Sequence, residues 1–266
     1  MKQLFGLDNE PQYLLTKVSD IRVEFGELDD GSVYKLPEVK KIPHQRFHTR
    51  NAATLCHAAY KTDPVEFLKK KCHNHTIQSV VAKSQYSKQM VMVAVAKVGE
   101  FPKETVMYVV YRGTQNRDDF MTDININQKE KDFMPYNGTY HAGFEERSNV
   151  LPTKYIIDYA EEIDCKTIIT CGHSMGGAVS SIVALDLLLN EVNRDEMEVY
   201  NITFGAPFFG NIEVKEMCES ERLENNILHY VDYKDIVPGL LSLGHTSSML
   251  KTKNIQVSGE SLASYV

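Results

Sequence analysis

The chain has 266 residues, 42% of them hydrophobic, and no long low-complexity tract, which is enough material for one large domain with a substantial core. Its 29 basic and 36 acidic residues leave a net charge of -7, which excludes the electrostatic footprint of a nucleic-acid binder and any general attraction to anionic membranes. No stretch nears the roughly 18 apolar residues of a membrane span. The opening Met1-Lys2-Gln3-Leu4-Phe5-Gly6-Leu7-Asp8-Asn9-Glu10 lacks the apolar region of a signal peptide. Five scattered cysteines, Cys56, Cys72, Cys165, Cys171 and Cys218, suit free thiols in a reducing compartment, and a cytoplasmic location is the expectation.

Residues 1–45 mix short apolar groups with charges and prolines (Pro11, Pro37, Pro43) and fit either an ordered wrap or a partly mobile arm. Asn51 to Tyr60 reads as a helix, and Asp63-Pro64 opens a second that runs into Lys69-Lys70-Lys71. The crowded Lys71-Cys72-His73-Asn74-His75 that follows lacks zinc-site spacing and reads as a solvated helix end. Gln89–Lys97 and Glu104–Tyr111 read as adjacent strands joined by a turn over Gly99 to Lys103. Helical segments are expected between His141 and Glu162. Next come a β-branched strand, Lys166 to Cys171, and an apolar helix, Ala178 to Leu189. Val199–Phe204 and Asn226–Val231 are further strands. Such alternation predicts an α/β domain with a mainly parallel sheet covered by helices. Asn74, Asn137 and Asn201 each begin an N-x-T pattern, but the last falls in an expected core strand.

Between the strand ending at Cys171 and the helix after it lies Gly172-His173-Ser174-Met175-Gly176. A strand, a sharp turn and a helix in this order form a nucleophile elbow, in which a strained backbone presents a serine and leaves no room for side chains two residues either way. Gly177 adds a small residue where the helix must approach the sheet. A hydroxyl is a poor nucleophile at neutral pH, so Ser174 needs a base, and the base needs an acid to orient it. In elbow hydrolases these follow in the order serine, acid, histidine. Asp235 stands just after the strand ending at Val231, where a loop would present a carboxylate, with Asp232 its nearest competitor. His245 alone among the nine histidines follows Asp235. His173 is turned away from the serine by the elbow and suits support or packing; His229 suits packing or a hydrogen bond in the core. One oxyanion donor is the N–H of Met175 at the helix N-terminus. The N–H of Thr114, in the loop after an earlier strand, is placed to be the second.

Together Tyr111-Arg112-Gly113-Thr114, His141-Ala142-Gly143-Phe144, Gly172-His173-Ser174-Met175-Gly176-Gly177-Ala178, Phe204-Gly205-Ala206-Pro207 and Asp235-Ile236-Val237-Pro238 resemble the class 3, or fungal-type, lipases over about residues 50 to 240. The resemblance implies an α/β-hydrolase fold with the elbow at Gly172–Gly176. Residues 46–266 would form that domain and residues 1–45 an extension to it. It also implies Ser174 as nucleophile, Asp235 as acid, and Thr114 with Met175 as oxyanion hole. Family members carry an amphipathic lid here too; Phe120, Met121, Ile124 and Ile126 among Arg117, Asp118, Asp119 and Asp123 fit either such a lid or a surface helix completing the core.

The chain departs from the family at the histidine, which usually lies much farther beyond the aspartate in a segment like His-x-Leu-x-x-Tyr. Here Glu260-Ser261-Leu262-Ala263-Ser264-Tyr265 has Glu260 in that place. Two accounts follow. Either His245 is the base of a serine hydrolase that cleaves carboxylic esters of acylglycerols or related lipids, or the triad is incomplete and the chain is a lipase-like binding or signalling module. The first needs no metal or organic cofactor. Its partners would be a lipid or small ester substrate and a lipid interface met transiently, with no nucleic acid.

Overall fold

The computed structural model describes residues 16–18, 42, 44–71, 79–81, 91–98, 104–114, 128–133, 136–191, 196–232 and 255–258. In chain order its first half contains β1 (Thr16–Val18), α1 (Gln45–Ala58), α2 (Pro64–Lys71), β2 (Ser79–Val81), β3 (Val91–Val98), β4 (Glu104–Tyr111), β5 (Gln128–Phe133) and β6 (Tyr136–His141). The second half contains α3 (Ala142–Ser148), α4 (Thr153–Glu162), β7 (Thr167–His173), α5 (Met175–Asp186), β8 (Glu198–Phe204), α6 (Ile212–Ser220), β9 (Ile227–Asp232) and β10 (Ile255–Ser258).

Six strands form the central sheet in the order β10-β9-β8-β7-β4-β3. The pairs from β4 to β10 are parallel, and β3 alone runs antiparallel, against β4. This is the alternating arrangement expected from the sequence, and β3 and β4 are adjacent as expected, paired antiparallel. Strand β4 shows why its sequence is an unbroken apolar run: Met107, Val109 and Tyr111 enter the core on one face, while Val106, Tyr108 and Val110 enter the core on the other. A strand covered on both faces has no polar side to display. Helices α3 to α6 cover the first face, and α1 with α2 cover the second.

Local signals account for two of the helix starts. Asp63 Oδ1 accepts the Glu66 N–H at 2.9 Å just before Pro64 opens α2. Asn211 caps α6 by accepting the Val214 N–H at 3.3 Å. Helix α1 starts at Gln45, six residues before the apolar stretch that marks it in the sequence. Helix α5 starts at Met175, directly on the elbow, and gives way to a π-helical turn at Leu187–Glu191. The elements that were not expected are α6, the short strands β1, β2 and β10, and the β5–β6 hairpin, whose Tyr140 also bridges to Gly210. Residues 16–18 of the N-terminal segment pair antiparallel with β2. Among the described residues no helix is long and apolar enough to cross a membrane.

Beneath α5 lies a buried polar knot. Asn201 of β8 donates to Thr170 Oγ1 at 2.9 Å and Ser180 Oγ at 3.1 Å, and accepts from Ser181 Oγ at 2.9 Å. Ser180 and Ser181 also reach the Gly177 carbonyl, each at 2.9 Å. Every one of these groups is paired, as burial requires. The same burial settles the N-x-T pattern at Asn201: its amide is fully enclosed and offers no acceptor for a glycan.

Candidate active site

Strand β7 ends at His173, α5 begins at Met175, and Ser174 between them has φ 56° and ψ −132°. A side chain at positive φ costs about 1–3 kcal/mol and persists only where its surroundings over-determine it. Here the Ser174 N–H donates to the Phe204 carbonyl at 2.9 Å, while its carbonyl accepts the Gly177 N–H at 2.8 Å. The two flanking glycines are steric necessities. A Cβ on Gly172 would stand 2.1 Å from the Gly176 oxygen, and one on Gly176 would stand 2.1 Å from the Tyr111 oxygen. The elbow is therefore wedged between its own helix and the end of β4. Gly177 lies as close to the sheet as its size suggests, with Ala206 and Thr203 crowding the place of its Cβ.

The loop after β4 returns to the same point. Thr114 is half-buried, and its Oγ1 lies 3.3 Å from the Met175 sulfur, so the side chains of the two candidate oxyanion residues are in contact. Strands β7, β8 and β9 are parallel and end on one edge, at His173, Phe204 and Asp232. Asp235, His245 and Glu260 lie outside the described residues, as do Phe120, Met121 and Ile124 of the lid segment.

His173 faces away from the nucleophile position, toward α1: its Nδ1 is 3.0 Å from the Tyr60 hydroxyl, and the two rings meet edge to face. Tyr60 Oη also donates to the His173 carbonyl at 3.4 Å. Burial pushes the Tyr60 phenol up to about 12, partly offset by the Gly113 N–H bonded to its oxygen and by Arg112, so it stays a neutral hydroxyl near pH 7. Tyr60 thus ties α1, the elbow and the loop carrying Thr114 into one unit. Sequence reasoning did not find it, because nothing local at Tyr60 signals a partner 113 positions away. His229 is buried in β9 with its Nδ1 on Thr203 Oγ1, and burial lowers its pKa to about 4.

Residues 108–244 match the family model for Lipase (class 3), which is more than half of the chain. The chain belongs to the class 3 lipase family. Among its relatives, this class 3 family member is 30% identical over 169 residues to a lipase of Rhizopus niveus, covering 58% of this chain and 42% of that protein. It is 37% identical over 73 residues to Lipase-like PAD4 of Arabidopsis thaliana, covering 27% of this chain and 13% of that protein. The chain thus spans less than half the length of these curated relatives. The solved structure of lipase II from Rhizopus niveus superposes with a TM-score of 0.56 at 22% identity, covering 74% of each chain. That likeness and the parallel sheet establish the α/β-hydrolase fold.

Proposed function

We propose that this chain is a serine hydrolase that cleaves carboxylic esters of acylglycerols or related lipids through an acyl-enzyme. The observation that carries the reading is the Ser174 backbone, held at positive φ between two glycines that admit no side chain, with Thr114 and Met175 adjacent. Strain of this kind is maintained where it presents a reactive group. In this mechanism Ser174 Oγ attacks the ester carbonyl and His245 takes its proton. Asp235 orients the imidazole and stabilises the imidazolium. The N–H groups of Met175 and Thr114 donate hydrogen bonds to the negative charge that develops on the carbonyl oxygen, a contribution worth about 10²–10³ in rate per donor. His245 then returns the proton to the leaving alcohol, and water, activated by the same base, releases the acid.

The relatives named as lipases support an ester of a lipid as the substrate class. Glu260 at the family's usual histidine position, together with the segment similar to Lipase-like PAD4, favours the second reading, a binding or signalling module without turnover. Labelling of the full chain with a fluorophosphonate probe, followed by turnover of short- and long-chain p-nitrophenyl esters, separates the two. The hydrolase reading expects labelling and turnover that Ser174→Ala abolishes; neither occurring overturns it. His245→Ala is expected to cost about three orders of magnitude or more in turnover. Near-normal activity in that variant would remove His245 from the mechanism.

A further inference from the structure

Two thiols that the proposed mechanism does not use face each other beside the elbow. Cys56 lies on the sheet side of α1, in line with Ala52 and Ala59 on one helical face, and all three are buried. Residues this small let the helix lie close to the strands. Cys171 of β7 enters the same core, on the face of the sheet that α1 covers. The register between them follows from the Tyr60–His173 contact at 3.0 Å. Four residues back from Tyr60 is about 6 Å along the helix, and two residues back from His173 is about 6.6 Å along the strand, so the next rung joins Cys56 to Cys171. Accordingly the two thiols are hydrogen-bonded; burial, and then that contact, hold Cys171 well above the usual thiol range, so it keeps its proton near pH 7. Cys56 is also within reach of solvent. It lines a cavity of about 330 Å³ together with His57 and His173, both exposed, and a molecule little larger than water, at about 30 Å³, fits there.

We propose that Cys56 and Cys171 are a reversible disulfide site, oxidised by a hydroperoxide that enters through the cavity, and that the bond couples α1 to the elbow. The Cys56 thiolate attacks one peroxide oxygen and the O–O bond breaks; the departing hydroxide takes the proton that Cys56 released and leaves as water. Cys56 is then a sulfenic acid. The Cys171 sulfur attacks the Cys56 sulfur, the S–O bond breaks, and the Cys171 proton leaves with the hydroxide as a second water. Two thiols become one disulfide while the peroxide is reduced to two waters. Closing to the S–S length of about 2.0 Å draws the sulfurs together by more than about 1 Å. Strand β7 is paired on both sides, to β4 and β8, so the end of α1 is what moves. Tyr60 goes with it, and because its oxygen accepts the Gly113 N–H, the loop carrying Thr114 is drawn along. This last consequence rests on the reading of Ser174 as nucleophile; the disulfide itself does not.

The full native chain is treated with hydrogen peroxide, its remaining thiols are alkylated, and the digest is mapped by mass spectrometry. The expected product has lost two of the five free thiols, links the Cys56 peptide to the Cys171 peptide, and reverts with dithiothreitol. The melting temperature should rise by about 5 °C or more, because the bond closes a long loop in the unfolded chain. Cys56→Ser should abolish both effects, and the mapping of the wild-type chain stands whether or not that variant folds. A link between any other pair, a Cys56 oxidised to sulfinic acid with Cys171 still free, no reaction in the native chain, or a melt that does not rise overturns the site. Fluorophosphonate labelling of Ser174 is expected to slow about tenfold or more in the oxidised chain and to recover on reduction. Labelling within twofold in the linked chain overturns the coupling to the elbow. If neither redox form labels, the nucleophile reading fails separately, and the mapping and the melt still decide the disulfide.

Discussion

Replacing Gly176 with alanine adds one methyl group at the most crowded point of the site. Its Cβ would lie 2.1 Å from the Tyr111 oxygen and 2.8 Å from both the Arg112 carbonyl carbon and the Gly113 nitrogen. Contacts that short are not sustained, so something must retreat by about 1 Å. Tyr111 is paired to β3 on one side and to β7 on the other, and α5 is enclosed along its length, so the yielding segment is Arg112–Thr114. A displacement of about 1 Å in a group that positions substrate can cost about 10²-fold in rate. The accompanying overpacking costs about 1–3 kcal/mol of stability. The assay is the second-order rate constant for fluorophosphonate labelling of Ser174, normalised to the folded fraction from a circular-dichroism melt. Gly143→Ala is the matched control: its Cβ meets nothing nearer than His141 Cε1 at 3.4 Å, and alanine in a helix is favoured by about 0.5–1 kcal/mol. If Gly176→Ala labels within twofold of wild type and melts at the same temperature, the wedge between elbow and loop does not govern the geometry of the site.

Asn201→Ala removes three buried hydrogen bonds to side chains at about 1 kcal/mol each, together with a longer one to the Thr170 carbonyl at 3.3 Å, and strands part of the Thr170, Ser180 and Ser181 polar set. The melting temperature is expected to fall by roughly 6–12 °C for a chain of this size; an unchanged melt would show that the knot contributes nothing net. A pH dependence follows from His48 and His229, whose pKa values are lowered to about 4, by burial in both and then by the His44 charge for His48. In the unfolded chain both titrate near 6.5. Between 6.5 and 4 the unfolded state therefore binds the additional protons, so stability is complete above 6.5 and is lost as pH falls toward 4. The slope is at most about 1.4 kcal/mol per pH unit for each histidine. Urea midpoints at about pH 7 and about pH 5 should differ accordingly, and equal midpoints would contradict the assignment.

The parts of this fold that rest on local patterning were legible. Strands β4 and β7 announce themselves as β-branched runs, the elbow by its glycines, and α2 by Asp63-Pro64. The β5–β6 hairpin was not, because Gln128-Lys129-Glu130-Lys131-Asp132 alternates charges instead of apolar and polar residues, and its order comes from tertiary partners. Helix α6 did leave a signal in Asn211, a good cap three residues before Val214. In the candidate site, Ser174, Thr114 and Met175 could be singled out from the sequence because each belongs to a compact motif. Tyr60 was missed for the opposite reason: its contact with His173 exists only where the end of α1 meets the strand ends, and no periodicity along α1 says which edge of the sheet it will meet.

Helix α5 carries a consequence of a different kind. Every residue from Met175 to Leu185 is buried, so this helix has no face that water could stabilise alone. What encloses it comes from both directions along the chain: β4, α3 and β7 precede it, and β8 follows. The strained conformation of Ser174 is thus a product of complete assembly and has no counterpart in an isolated segment or an unfolded chain. On the proposed reading of Ser174 as a nucleophile, a reagent that counts reactive serines counts native molecules, and can serve as a census of folding for any variant of this protein that keeps Ser174.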